Sequence, residues 1–402
     1  MESLGTELHA NGNEPGLSLG ECVRILVLNY EFPPVGGGGG RVAEDLCRVL
    51  ARRGHSIRVQ TAHVKGLPKV ELRDGYTIFR SWSLRRQAHT CSVPEMAAFV
   101  LTNVAPSLQH VLRWKPDVIH VHFAVPTGAL GWLVSKLTRV PYVLTTQLGD
   151  VPGGVPEQTD KLFKFLKPFT VPIWRHAAFV TAPSRHVREL AVSSYRVPVE
   201  IIPNGVDLSA LQQSPSHAHD PKRIVFAGRF NPQKNLLFLV EILARVSDLP
   251  WHMDLLGDGP LMGQVRDAVF AAGIEQRVTF HGWVEPDVVD RVMGKSDILF
   301  LPSLSEGLPV VGARALGAGL AIVGSDVGGI DDVVRQGANG FLCPVNDFDA
   351  FEKALRRLLT SDGLLTTMKA QSRELAQELS LETICVGFEQ ILQAAAKLRE
   401  RV

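Results

Sequence analysis

Apolar and polar positions along the chain recur in one order: a short apolar run, a turn, a helical pattern, then another apolar run. "VRILVLNY" is bounded by a turn, "EFPPVGGGGGRVAEDLCRVLARRGH" leads glycines into a helical pattern, and "SIRVQTAH" reads as the next strand. The alternation continues through "PDVIHVH", "PYVLTTQ", "AAFVTAPS" and "EIIPNG". Short apolar strands between helices predict an α/β chain with a parallel sheet covered on both faces. After the polar stretch "NGVDLSALQQSPSHAHDPK" the pattern restarts with "RIVFAGRF", "WHMDLLGDG", "RVTFHGWV", "DILFLPS" and "LAIVGSD". A second doubly wound sheet is therefore expected from near Pro221, followed by helical text from Asp347 onward and an amphipathic last helix. Two such domains place a cleft outside the carboxyl ends of both sheets, where open α/β sheets bind ligands.

Composition agrees with two cores: 402 residues, 45% of them hydrophobic, exceed what one ordinary domain buries. The expected division is a disordered tail over 1–21, a first Rossmann-like domain over 22–207, a linker over 208–221 and a second over 222–380. The helix from about 381 to 402 is expected to pack back on the first domain. Lys and Arg total 42 against 41 Asp and Glu, so no net field draws the chain to nucleic acid or an anionic membrane. Five scattered cysteines show neither a zinc spacing nor a disulfide framework, which fits reduced thiols. No basic-then-apolar leader and no run of membrane-spanning length is present, so a cytoplasmic location is expected. "DKLFKFLKPFTVPIWRHAAF", Asp160 to Phe179, mixes aromatics with Lys161, Lys164, Lys167 and Arg175. It reads as a packed helix with snorkelling lysines or, alternatively, as a peripheral membrane contact.

Several residues carry candidate chemistry. The run Gly36 to Gly40 follows a strand and precedes a helix expected to start near Arg41, so bare backbone can approach an anion at a helix N-terminus. It is not a G-x-x-x-x-G-K-[ST] loop, and no acid is placed to bind a nicotinamide ribose. In "GRFNPQKN", Arg229 and Lys234 follow a strand, a position that suits a diphosphate. Ser305 is expected to cap a helix whose first turn holds Gly307, Leu308 and Pro309, with Glu306 placed to accept from sugar hydroxyls. In "VIHVH" the alternation is read as sending His120 and His122 to opposite faces, with His122 at the cleft end. No metal-ligand spacing is present, so no metal site is expected. Arg314, in a stretch otherwise of glycine, alanine and valine, has no packing reason to be charged.

Taken in order, "YEFPPVGGGGGR", "LARRGHSIRVQT", "PDVIHVH", "IIPNGVDL", "FAGRFNPQKNL", "GDGPL", "VTFHGWV" and "LPSLSEGLPVVGARALGAGLAIVGSDVGGIDDVV" resemble a glycosyltransferase of family 4. The resemblance covers nearly the whole chain after Glu21. It implies a GT-B fold, with an acceptor (sugar, lipid-linked or small molecule) bound by the first domain and a nucleotide-diphosphate sugar by the second. It also implies retaining transfer without a metal or other cofactor, in which the donor phosphate receives the acceptor proton.

By the resemblance, Arg229 and Lys234 bind phosphates, Gly37 and Gly38 contact the diphosphate, and His122 lies near the donor sugar. Glu306 meets the sugar hydroxyls, Gly307 and Leu308 supply amides, and Gly282, Trp283 and Val284 lie near the base. Asn204 to Asp207 would mark entry to the hinge. Two positions depart from the family pattern. Gln147 stands where a histidine is common, which directs attention to Asp150 for acceptor activation or positioning. Arg314 stands where the family's second glutamate accepts from the ribose, and a guanidinium can only donate. In a continuous helix, residues 306 and 314 would lie about 12 Å apart on nearly the same face. Arg314 then contacts the donor in another way, pairs with a neighbouring acid, or marks lost donor binding. A catalytically impaired sugar-nucleotide-binding or regulatory protein on the same fold, or a nucleotide-sugar epimerase, are the alternatives.

Overall fold

The computed structural model describes residues 21–87, 91–211 and 213–399, without the side chains of 156–162, 164, 165 and 210. The expected tail, apart from Glu21, lies outside the described residues, as do the side chains of Lys161 and Lys164. The strands are β1 (Arg24–Leu28), β2 (Ser56–Ala62), β3 (Val70–Arg73), β4 (Tyr76–Ser81), β5 (Val118–His122), β6 (Tyr142–Thr145), β7 (Phe179–Ala182) and β8 (Glu200–Ile201), then β9 (Lys222–Ala227), β10 (Trp251–Leu256), β11 (Val278–Gly282), β12 (Ile298–Leu301), β13 (Ala321–Ser325) and β14 (Gly340–Cys343). The helices of the first half are α1 (Gly38–Arg52), α2 (Val93–Trp114), α3 (Thr127–Thr138), α4 (Pro156–Arg175) and α5 (Arg185–Tyr195). Those of the second are α6 (Leu236–Arg245), α7 (Met262–Ala271), α8 (Pro286–Met293), α9 (Val310–Ala318), α10 (Phe348–Thr360), α11 (Asp362–Ala376) and α12 (Leu381–Arg399).

Two sheets result, ordered β3-β4-β2-β1-β5-β6-β7-β8 and β11-β10-β9-β12-β13-β14. All neighbours are parallel except the edge hairpin β3–β4. The reading of the sequence passed over that hairpin and β14. "RDGY" carries the signal, because Asp74 and Gly75 both take positive φ (45° and 86°), as a two-residue turn between twisted strands requires. β5 is buried at all five positions, which is why "VIHVH" reads as a continuous apolar run rather than an alternation.

Each sheet is covered on both faces by apolar clusters. α12 returns to the first sheet, where Ile384, Phe388 and Leu392 join Val27, Leu46 and Val143 in one cluster. The chain crosses between the halves twice, side by side: Val206 N–H donates to the Leu379 carbonyl, and Leu381 N–H to that of Val206. The polar stretch after Asp207 is tethered rather than loose. Leu211 is buried and Ser214 N–H bonds the Ala318 carbonyl, so this connection is fastened to the second half. In α4, Phe163, Ile173 and Trp174 are buried, Trp174 stacks on Tyr195 at 4.2 Å, and Phe169 remains exposed. No helix among the described residues is long and apolar enough to cross a membrane.

Candidate active site

The end of β9 and the end of β12 deliver two loops to one mouth of the second sheet. The turn after β9 places Lys234 so that its Nζ donates to Glu306 Oε1 at 2.5 Å, and the same oxygen accepts from Ser303 Oγ at 2.7 Å. Backbone bonds zip the loops together: Leu304 N–H donates to the Gln233 carbonyl, and Gln233 Nε2 to that of Ser305. Glu306 is 5% exposed, and its carboxylate is met on the spot by the lysine. Its carbonyl is fixed from behind by Gly329 N–H at 3.0 Å. Any side chain on Gly328 would meet that carbonyl oxygen at 2.0 Å, so the glycine pair in "DVGG" is a packing requirement of this loop.

α9 begins at Val310 with Pro309 before it, not at Glu306, and Ser305 caps nothing; its hydroxyl is buried without a hydrogen-bond partner. Pro309 is extended (ψ 109°), so the residues from Glu306 to Leu308 cross the mouth as a loop. The straight-helix path from residue 306 to 314 is therefore absent. Arg314 is one turn into α9 and turns away to α8, where Nε donates to Asp290 Oδ1 at 2.8 Å and the second guanidinium nitrogen meets Oδ2. Arg314 is thus paired with a neighbouring acid, Asp290.

The glycine run also differs from expectation. α1 starts at Gly38, so three of the glycines lie inside its first turn. A Cβ on Gly39 would sit 2.6 Å from the Phe123 ring and one on Gly40 2.5 Å from the Glu31 carbonyl, while Gly36 has φ 101°. Packing and backbone conformation account for those three. Gly37 has open space and Gly38 only an ordinary 3.5 Å contact with Val310 of the second half, so these two approach the mouth at the N-terminus of α1, where the Gly37 amide donates to Glu31 Oε2 at 3.3 Å.

The first sheet closes the opposite wall. Residues two apart on a strand share a face, and His120 and His122 do: their rings lie 4.2 Å apart, which corrects the expectation of opposite faces. His120 Nε2 and Thr145 Oγ1 are bonded at 2.8 Å, while His122 Nε2 is buried with no partner. Burial holds His122 neutral, its pKa pulled down to about 3. Asp150 is 3% exposed, and its carboxylate accepts from the backbone N–H of Gln147 at 2.8 Å and of Val125 at 3.2 Å. Burial outweighs those bonds and pushes its pKa up to about 7. Gln147 exchanges long 3.5 Å contacts with Asn204, at the crossing between the halves. Gly307 faces Leu148 and Val187 across the mouth.

Gly282, Trp283 and Val284 lie at the end of β11, beside the "GDG" turn, where Gly257 N–H donates to the Gly282 carbonyl at 2.8 Å. Trp283 is half exposed, and Val284 packs against the cluster that includes Leu256. Arg229 is exposed at the mouth beside Gly228, and Gly228 lies against the Lys234 stem. Leu308 is buried in the same loop as Gly307. The structure thus brings the two walls together, and Ser303, Gln233 and Phe123 join them unannounced by any motif, while Asp290 enters only as the partner of Arg314. Ser303 sits three residues before Glu306, a spacing that could have marked it; Asp290 gives no local signal at all.

Two sequence profiles match this chain: "Glycosyltransferase Family 4" over residues 36–210 and "Glycosyl transferases group 1" over 221–361. The chain belongs to the family 4 glycosyltransferases. Among relatives of this glycosyltransferase, N-acetyl-alpha-D-glucosaminyl L-malate synthase of Bacillus anthracis is 26% identical over 86% of this chain and 91% of its own. UDP-Gal:alpha-D-GlcNAc-diphosphoundecaprenol alpha-1,3-galactosyltransferase of Escherichia coli is 28% identical over 64% of this chain and 70% of its own. Among solved structures, sucrose-phosphate synthase of Thermosynechococcus elongatus superposes with TM-score 0.81 at 20% identity, over 92% of this chain and 98% of the other. Anabaena HepE, in complex with UDP and glucose, gives 0.72 at 19% identity over 92% and 100%. The fold of this glycosyltransferase is GT-B, two parallel-sheet α/β halves facing one cleft.

Proposed function

We propose that this glycosyltransferase is a retaining hexosyltransferase that moves a sugar from a nucleotide-diphosphate sugar to an acceptor hydroxyl without a metal ion, in the cytoplasm. The observation that carries the reading is the Lys234–Glu306 pair, with Ser303, at the mouth of the second sheet opposite the uncrowded glycines Gly37 and Gly38 at the start of α1. A diphosphate entering between them meets Lys234, Arg229 and the N-terminus of α1, a set that meets anionic charge without a divalent cation. Glu306, still held by Ser303, accepts from sugar hydroxyls, and the amides of Gly307 and Leu308 lie beside it. The UDP and glucose of HepE, and the sugar nucleotide in the name of the galactosyltransferase relative, favour a donor of this class.

In the proposed reaction the bond from the anomeric carbon to the β-phosphate oxygen breaks, a bond to the acceptor oxygen forms on the same face, and the acceptor proton passes to the departing phosphate. Lys234 and Arg229 stabilise the charge that develops on that phosphate. His122, neutral and with a vacant ring nitrogen, offers the sugar a hydrogen bond without a positive charge. Asp150 fixes the loops after β5 and β6 through their amides and so shapes the acceptor side. Because Arg314 is engaged by Asp290, ribose contacts fall to other groups, and donor binding survives the missing glutamate.

The test is transfer and donor hydrolysis over a panel of nucleotide sugars, in chelator and with the anomer of the product determined. Turnover unchanged in chelator, with the donor's anomeric configuration kept, is expected. Conversion of the nucleotide sugar without any acceptor would make the protein an epimerase, and binding without turnover would make it a sensor of sugar nucleotides.

A further inference from the structure

Away from the cleft, a cavity of about 310 Å³ opens between β2, β4 and the C-terminal half of α2. Its lining contains Arg58, Lys69, Arg80, Arg113 and His110 and not one acidic side chain. Arg80 is already engaged, by Glu71 at 2.7 Å and the Pro68 carbonyl at 3.1 Å. The others are not. Arg58 is half-buried, lies over the rings of Trp114 (4.7 Å) and Phe79 (5.6 Å), and its one polar contact is a long 3.5 Å approach to His110 Nδ1. Neither Arg58, Lys69 nor Arg113 has a carboxylate partner among the described residues.

Burying a guanidinium without a counter-charge is costly, and the cost is visible here: burial pulls Arg58 below its ordinary pKa. His110 cannot supply a compensating negative charge, and burial beside Arg58 keeps it neutral, its pKa lowered to about 4. The aromatic stack recovers part of the cost. What the cavity lacks is an anion. Around the cations, Ser81 and Gln109 add neutral hydrogen-bonding groups, while the Gln60 amide is spent on Ser81 and Asn103 at 2.8 and 2.7 Å. Planar guanidinium groups beside neutral donors suit phosphate oxygens.

We propose that this cavity binds a phosphate group, at a site that shares no residue with the interdomain cleft. Its margin is apolar, with Val70 57% exposed and Leu112 on the adjoining surface of α2 72% exposed, so the phosphate can arrive free or on an amphiphile.

The cleft is weakened first by Lys234→Ala, and the part of the response that the cavity arginine variants remove reports the cavity. In that background the thermal midpoint is followed against inorganic phosphate at constant ionic strength, and sedimentation is followed with phosphatidylcholine vesicles with and without phosphatidic acid. A midpoint that climbs with phosphate, with the half-saturating concentration raised about tenfold or more by adding Arg113→Gln and the response lost with Arg58→Gln, establishes the site for a free phosphate. Sedimentation that needs phosphatidic acid and fails with Arg113→Gln establishes it for a lipid headgroup. Arg113 is exposed and makes no side-chain bond among the described residues, so that variant reads binding and not folding. No response in either arm, or a response that both arginine variants keep, overturns the proposal.

Discussion

Glu306 and Arg314 stand at the two ends of one short stretch, and each is half of an ion pair of similar burial: side chains 17% and 7% exposed for Lys234–Glu306, 11% and 13% for Arg314–Asp290. Connectivity separates them. The first pair joins two loops at the mouth of the cleft, uses one carboxylate oxygen for two donors, and leaves the lysine as a single mobile point charge. The second joins two helices of the same half, fills both carboxylate oxygens with a planar fork, and leaves nothing to redirect. One pair is built to exchange a partner for a ligand, the other to clamp α8 to α9.

The largest effect should come from breaking the exchangeable pair. Lys234→Ala is expected to lower kcat/KM for the nucleotide sugar about 100-fold, roughly 3 kcal/mol of transition-state stabilisation. Steady-state kinetics over a donor panel measure it, and a loss below threefold would erase the distinction between the pairs.

The clamp should fail in a different observable. Arg314→Glu sets two carboxylates against each other in a nearly buried site and is expected to lower unfolding free energy by about 3 kcal/mol in a denaturant titration. The charge swap Arg314→Asp with Asp290→Arg should recover about half of that loss, as coupled pairs do. A swap no more stable than the single variant would mean that shape, not charge, holds α8 in place.

Much of this was legible in the residues, and the parts that were not share a cause. The period of the apolar runs announces both sheets, and the ordered motifs announce the family, because those signals are local. The helix start at Val310 was misplaced because Ser305 followed by Pro309 imitates a cap, while the glycines at 328 and 329 hold the preceding loop open to Glu306. The partner of Arg314 was illegible for the opposite reason: Asp290 lies on another helix, and a contact between elements leaves no mark on either segment's pattern. The face shared by His120 and His122, by contrast, was available from strand geometry alone.

Across the cleft from the exchangeable pair, Asp150, His120 and His122 are buried with no ion-pair partner among the described residues, and pH sharpens that contrast with the smallest effect. Asp150, pushed up to about 7, favours its protonated form in the folded state. Its contribution to stability is therefore fully present below the unfolded value of about 3.9 and is lost as pH rises through about 7. Asp332, raised to about 6 by burial, acts with the same sign over a lower window. His110 and His122, lowered to about 4 and about 3, and the still more deeply buried His120 act with the opposite sign, because their unfolded forms bind protons that the folded forms refuse. All of these other groups are retained in Asp150→Asn, so the difference between the two proteins isolates the one carboxyl. Relative to the variant, the wild type should lose stability steadily from about pH 4 to 7, with about 1 kcal/mol of that loss between pH 6 and 7, and the two should run parallel above. A difference that stays level from pH 4 to 8 would mean that the amides of Gln147 and Val125 keep Asp150 ionised, and that both walls of the cleft carry charge.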